Sequence, residues 1–423
     1  MKITRVEAIE LRLPEDQIED KCSSGQDALI VKIHTDEGLT GIGEIDSSSR
    51  VAKAAIEAPF SHSVTSGLAR LLIGENPLNM RVLQEKMYQA TFYYGRRGVV
   101  IHAMGGIDMA LWDLAGKAYG VPVYQMLGGR YRDRIRLYAD TPDGQATGLK
   151  KRIEQGFTFL KYDCGIQTIR NVPGALAYPI RETNWRGKHP FTAIQLSDKG
   201  AALMGERFAE VRDVVGWTIP VASDHFGHIG VNSCIKLGKA LQPYTLAWLE
   251  DMVPWEYTDM LKEIKNAIDV PLLTGEDIYT LDGGFKKLID ERAVDMVHPD
   301  LATAGGILET KKIGDYAEQS GIAMPLHFAG TPVCFMANLH CAAATENFIA
   351  LEHHSVDVDW WEDLVTGVDK PFHTDGFARV PEGPGLGIEL NLDVIKEHLE
   401  RGTELFAPTE EWNQDRSNDR LWS

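Results

Sequence analysis

The chain is poor in cysteine and shows no ordered cysteine pattern: Cys22, Cys164, Cys234, Cys334 and Cys341 are scattered, odd in number and form no C-x-x-C pair. That excludes a disulfide framework and a thiolate zinc site, and it reads as a set of reduced thiols in a cytosolic protein. A second absence is any uninterrupted apolar run of the roughly 18 residues a membrane span needs. The opening MKITRVEAIELRLP alternates charged and apolar residues without an apolar signal core, so a cytoplasmic protein is expected. Net positive charge is absent as well, with 43 Lys and Arg against 61 Asp and Glu. A formal net charge of -18 argues against nucleic acid or an anionic membrane as partner, since both need a basic surface.

What the chain does have is ordinary globular composition, 44% apolar and 25% charged over 423 residues. That length suits a barrel of about 250 residues joined to a second domain of roughly 150. Residues 1 to about 45 alternate like antiparallel strands, with ITRVEAIELRL, ALIVKIHTDEG and LTGIGE in turn. Asp36-Glu37-Gly38 supplies a hairpin turn between the last two. From about 51 to 127 the period becomes helical, and GGIDMALWDLAGKAYGVPVYQMLGG puts Ile107, Ala110, Leu111, Leu114 and Ala118 on one stripe.

After Gly129 come eight short apolar runs, each ending in a polar or ionisable residue: RIRLYAD, FTFLKYD, IPVASD, LAWLED, PLLTGED, VDMVHPD, IAMPLHF and FIALEH. Separated by helical segments, they predict a (β/α)₈ barrel whose polar strand ends mark the catalytic face. The expected architecture is α/β, a modified TIM-like barrel over about 131–370 with an α+β capping domain over 1–130, completed by about 371–423. The 60 residues between Asp163 and Asp224 exceed one strand-helix unit. An insertion at about 166–200 is therefore expected, serving as a substrate lid, an oligomer contact or surface decoration.

Asp224, Glu250 and Glu276 end successive runs at intervals of 26 and 26 residues. One strand plus one helix fills that interval, so the three carboxylates should stand side by side at the barrel mouth. Hard oxygen donors converging there suit Mg²⁺, with Mn²⁺ as a substitute. A single acid at a strand end would more simply cap a helix; three in register favour the metal. Asp300 and His327 end the next two strands, and an aspartate beside an imidazole fixes its tautomer and raises its basicity, as a general base requires.

These features together resemble the enolase superfamily in its mandelate racemase-like branch. The likeness runs from TGIGE through ALWDLAGKAYGVP and QMLGG to the terminal PEGPGLG. It implies Mg²⁺ on the three acids, a His327–Asp300 dyad, and removal of a proton α to a substrate carboxylate. Glu352, on the eighth strand, would then be a carboxylic acid with a raised pKa that donates to a substrate carboxylate oxygen, with His353 and His354 beside it as alternatives.

The racemising members carry K-x-K on the second strand, where this chain has Lys161-Tyr162-Asp163. With Asp163 in place of the second lysine, two-base racemisation loses its partner, elimination becomes the expectation, and Lys161 is left to bind the carboxylate. Related sugar-acid dehydratases carry D-x-H after the metal aspartate; here the order is Asp224-His225-Phe226-Gly227-His228. Either His225 or His228 then reaches the leaving hydroxyl, or His327 serves both steps, and both histidines also read as surface or supporting residues. PEDQIEDKCSSGQD and EIDSSSR fall where the family's substrate-covering loops lie. Tyr94 and Arg96 in FYYGRR are candidates for substrate binding or for interdomain packing.

The reading is thus a Mg²⁺-dependent dehydratase of an acid sugar, an aldonate or aldarate, giving a 2-keto-3-deoxy acid. The expected partner is a small anionic acid sugar, with neither nucleic acid nor membrane involved, in a homo-oligomer. An epimerase, racemase or cycloisomerase working through the same enolate is the alternative. A non-catalytic scaffold is the alternative of another class, disfavoured by so many like charges held at one site.

Overall fold

The computed structural model describes residues 1–12, 27–141, 144–177, 194–224 and 229–407. The first three strands, β1 (Ile3–Arg12), β2 (Asp27–Thr35) and β3 (Thr40–Ile45), form an antiparallel meander in that order. Gly38, with φ of 82°, makes the tight turn between β2 and β3, a conformation open to glycine at little cost. Gly41 and Gly43 of β3 lie against the helix Val99–Tyr119. A Cβ on either would come within 2.0 Å of a helix carbonyl oxygen, Ala110 O or Gly106 O. The two glycines of TGIGE therefore let sheet and helix backbones touch.

That helix departs from the one-stripe expectation. It is buried on all sides over Ala103–Gly116 because β3 covers one face and the short helix Leu301–Ala304 of the barrel packs on another. Gly105 approaches the Leu301 carbonyl closely enough that a Cβ would lie 3.1 Å from it. Ala118, assigned to the stripe, is exposed, since the last turn runs past the core. The helix has the length and apolarity of a membrane span, but 89% of its apolar window is buried inside the protein.

Eight strands follow: β4 (Arg134–Tyr138), β5 (Leu160–Lys161), β6 (Val221–Ala222), β7 (Leu249–Glu250), β8 (Leu272–Thr274), β9 (Met296–Val297), β10 (Met324–Leu326) and β11 (Phe348–Glu352). Ladders join β5 to β6, β7 to β8, β8 to β9, β10 to β11 and β11 to β4, all parallel. Single parallel bridges close the remaining gaps, Ala139 to Leu160, Ser223 to Leu249 and Met296 to Ala323. The ring is a closed (β/α)₈ barrel, with one mouth formed by the C-terminal strand ends. Within the long interval, Leu176 bridges Leu196 antiparallel and a helix starts at Asp198; residues 178–193 of the expected insertion lie outside the described residues. After the barrel the chain returns to the meander, where Arg12 N donates to His398 O and Glu400 N to Glu10 O.

Candidate active site

Asp224 stands two residues beyond β6, Glu250 is the last residue of β7, and Glu276 stands two beyond β8. Asp224 and Glu250 are buried while Glu276 keeps 30% of its side chain exposed. Trp248, two positions back on the same strand, donates its indole N–H to Glu250 Oε2 at 3.0 Å and fixes that carboxylate. Burial, reinforced by Asp224, Glu352 and Glu276, holds the Glu250 carboxyl well above the usual range. Asp251, partly buried, is raised in the same way by loss of solvent and by Glu276, Asp224 and Glu250.

On the next two strands, His327 Nδ1 lies 2.7 Å from Asp300 Oδ2. Asp300 is itself locked because its Oδ1 accepts from Ala302 N at 2.6 Å, capping the helix Leu301–Ala304. With Nδ1–H donated to Asp300, Nε2 is left as the basic nitrogen, 3.3 Å from Glu276 Oε2 and 3.8 Å from Glu352 Oε2. Burial opposes a charge on this imidazole, but Glu276, the Asp300 hydrogen bond and Glu352 outweigh it and push His327 up to about 10.

Lys161 at the end of β5 is buried among acids. Its Nζ lies 2.8 Å from Glu352 Oε1, 3.0 Å from Asp224 Oδ2 and 3.8 Å from Glu250 Oε1. Burial penalises the ammonium, yet Glu250, Glu352, Asp224 and Asp163 hold its pKa well above the lysine value. Glu352 corrects the expectation of a raised carboxylic acid. Burial acts in that direction, but Lys161 and His354, the latter 3.1 Å from Glu352 Oε1, dominate and hold it well below the usual carboxylate range. In this arrangement Glu352 is a carboxylate that accepts. His354 also faces Asp140 at 3.4 Å, whereas His353 packs among Phe335, Trp361 and His373, away from the acids.

Two positions that contact these acids escape sequence reasoning. Tyr138 of β4 and His298 just past β9 are fully buried beneath the acids. The Tyr138 hydroxyl lies 2.8 Å from His298 Nε2 and 3.0 Å from Glu352 Oε2, while His298 Nδ1 lies 3.0 Å from Glu250 Oε1. A continuous chain thus links Glu250 to Glu352 and sets both carboxylates relative to each other. Supporting partners of this kind typically matter about 10- to 100-fold for metal affinity or activity. Tyr138→Phe is expected to lower kcat/KM within that range while the circular dichroism spectrum stays unchanged; wild-type kinetics would show the bridge to be idle. The only sequence signal was a tyrosine ending the run RIRLY and a histidine near the end of VDMVHPD.

A third missed position is Glu44, at the end of TGIGE. Its carboxylate crosses from the cap to the loop after His327, accepting from Thr331 N at 2.7 Å, Thr331 Oγ1 at 2.6 Å and Cys334 N at 2.9 Å. Glu44→Gln would turn an amide donor toward one of these donors. The expected cost is about 1–3 kcal/mol, the usual penalty for an unmet buried donor, read as a lower denaturation midpoint.

Other candidates are elsewhere. Tyr94 donates its hydroxyl to Ser66 O at 2.6 Å, and the Arg96 guanidinium lies over the Phe92 and Tyr88 rings at 4.3 and 4.9 Å; both engage the cap itself. Asp163 stands two residues past β5, partly buried. His225 and His228, like the loop PEDQIEDKCSSGQ, lie outside the described residues. Cys164, Cys234, Cys334 and Cys341 are free and buried.

The donor set fits a hard divalent cation. Ligand atoms of Glu250, Glu276 and His298 fall within 4.8 Å of one another, and Asp224 shares Lys161 with Glu250. Carboxylates packed this closely repel, as the upward shift of Glu250 records, and a cation among them removes the penalty.

Residues 3–128 match the family "Mandelate racemase / muconate lactonizing enzyme, N-terminal domain", and residues 147–394 match "Enolase C-terminal domain-like". A D-xylonate dehydratase of Haloferax volcanii is 34% identical over 89% of this chain and 87% of its own length. A D-galactonate dehydratase of Xanthomonas oryzae pv. oryzae is 30% identical over 87% of this chain and 90% of its own. Among solved structures, a mandelate racemase/muconate lactonizing enzyme-like protein from Rubrobacter xylanophilus superimposes with a TM-score of 0.82 at 32% identity, covering 96% of this chain and 99% of that one. Fold, strand-end acids and sequence likeness agree, and the chain belongs to the mandelate racemase/muconate lactonizing enzyme family of the enolase superfamily.

Proposed function

We propose that the protein is a Mg²⁺-dependent hydro-lyase that converts an acid sugar, an aldonate or aldarate, into a 2-keto-3-deoxy acid. The observation that carries this reading is the orientation of His327, tied through Nδ1 to Asp300 and presenting Nε2 toward Glu276 and Glu352. The two relatives named above, dehydratases of D-xylonate and D-galactonate, support the substrate class.

Family membership implies a divalent cation. Asp224, Glu250 and Glu276 are the residues that would hold it, and Mn²⁺ suits the same oxygen donors. When bound, it supplies positive charge against the negative charge that grows on the substrate carboxylate as the α-proton leaves. Those acids then pull less on His327, whose Nε2 can be unprotonated and basic at neutral pH.

His327 Nε2 takes the α-proton, leaving the electron pair on the substrate, and Asp300 stabilises the imidazolium that results. The electron pair then forms the C2–C3 double bond as the C3–O bond breaks. The departing hydroxide takes a proton from imidazolium and leaves as water, which returns His327 to its starting state. The enol product becomes the 2-keto-3-deoxy acid in solution. Among the described residues, His327 is the group we assign to both proton transfers. Lys161 meets the substrate carboxylate with its ammonium, and Glu352 holds Lys161 in place. Asp163, two residues after Lys161, is a carboxylate rather than a second lysine, so reprotonation on the opposite face lacks its lysine base and elimination is favoured.

The test is a screen of purified protein with Mg²⁺ against mono- and diacid sugars, with detection of 2-keto products. A stereoisomer accumulating without keto product, or silence across the panel, would overturn the reading.

A further inference from the structure

His102 occupies the first turn of the helix Val99–Tyr119 and faces a cleft of about 250 Å³ between cap and barrel. The same cleft is lined by Asp46 of the cap and by Glu276, Tyr279, Thr303 and His327 of the barrel. Both ring nitrogens of His102 are buried, and neither has a hydrogen-bond partner among the described residues. The ring rests on Tyr279, centroids 5.9 Å apart and planes at 31°, so its direction is set by packing. Buried polar atoms are almost always satisfied in folded proteins, and an exception beside a reaction site calls for a partner that arrives from outside.

The chemistry of that partner follows from the imidazole. Burial pushes His102 down to about 4, against a weaker upward pull from Asp300, so at neutral pH it offers one N–H donor and one acceptor nitrogen. A hydroxyl group also both donates and accepts. A carboxylate only accepts, and it would additionally meet Asp46, Glu276 and Asp277 in this cleft. The substrate carboxylate therefore belongs with Lys161, and the rest of the sugar chain extends past His327 toward the cap.

We infer that His102 binds a hydroxyl of the sugar chain beyond the reacting carbons and is a specificity-determining residue of this site. The inference rests on the acid-sugar dehydratase reading and adds to it the residue that reads the polyol.

The experiment compares wild type, His102→Ala and His102→Asn with Mg²⁺ on acid sugars, starting from D-xylonate and D-galactonate, and on analogues lacking one hydroxyl beyond C3. His102→Ala is expected to lower kcat/KM by about 10- to 100-fold, the scale of one buried hydrogen bond left unmade. His102→Asn, which keeps a donor and an acceptor, should recover part of the loss. One deoxy analogue should be turned over equally by wild type and His102→Ala. A purely structural role would instead lower kcat/KM by the same factor on every substrate, each deoxy analogue included. If wild type dehydrates acid sugars and His102→Ala keeps kcat/KM within about twofold, or loses the same factor on every deoxy analogue, the inference fails alone. If wild type dehydrates none of them, the dehydratase reading fails first and the inference with it.

Discussion

Replacing His327 with asparagine is expected to lower kcat by at least the roughly 10²- to 10⁴-fold that a positioned acid-base group contributes, without loss of fold or metal binding. The asparagine amide can still donate to Asp300 across the site of the 2.7 Å contact, so local geometry survives, but the basic nitrogen that faced both Glu276 and Glu352 is gone. Because the imidazole is assigned to both proton transfers, hydrogen exchange at Cα should vanish together with product formation. Asp300→Asn should cost less, since it weakens the stabilisation of the imidazolium while leaving Nε2 in place. Steady-state kinetics, with proton exchange in deuterated solvent followed by NMR, checks both. Retained exchange in His327→Asn would assign the base elsewhere and return attention to His225 and His228.

Much of the catalytic face could be read in one dimension because a barrel repeats its unit. The even spacing of Asp224, Glu250 and Glu276, followed by Asp300 and His327, reflects strands that are neighbours both in sequence and in the ring. Where neighbours in space are remote in sequence, local pattern carries no signal. Lys161 meets Glu352 across 191 positions, Tyr138 meets His298 across 160 and Glu44 meets Thr331 across 287. The first of those contacts, made by ring closure, together with His354 holds Glu352 well below the usual carboxylate range. Sequence reasoning surrounded Glu352 with acids and raised its pKa; the lysine and histidine that reverse the sign come from other strands. Likewise, periodicity found the helix Val99–Tyr119 but not the second surface that buries its remaining faces, nor the point near Ala118 where it leaves the core.

Glu250→Gln separates binding from folding because the two effects have opposite signs. A carboxyl whose folded pKa is raised by burial and by Asp224, Glu352 and Glu276 favours the folded state only at low pH; that contribution is lost as pH rises through the raised pKa. At neutral pH in chelator the Glu250 carboxyl group, held there against burial and neighbouring acids, is therefore a liability. Glutamine keeps an oxygen to accept the Trp248 indole N–H while removing the charge. Metal-free Glu250→Gln is accordingly expected to melt at or above metal-free wild type. Added Mg²⁺ should reverse the order. A ligand at 100 times its Kd stabilises the folded state by about 2.7 kcal/mol, so wild type should rise in Tm with Mg²⁺ and the variant should rise far less. Turnover should fall by about 10²- to 10³-fold or more, the cost of removing one contact that stabilises developing charge. Thermal scans in chelator and in Mg²⁺, with metal analysis of both proteins, provide the measurement. Equal Mg²⁺-induced shifts in wild type and variant would remove Glu250 from the metal site, and full turnover of wild type in excess chelator would remove the metal from the reaction.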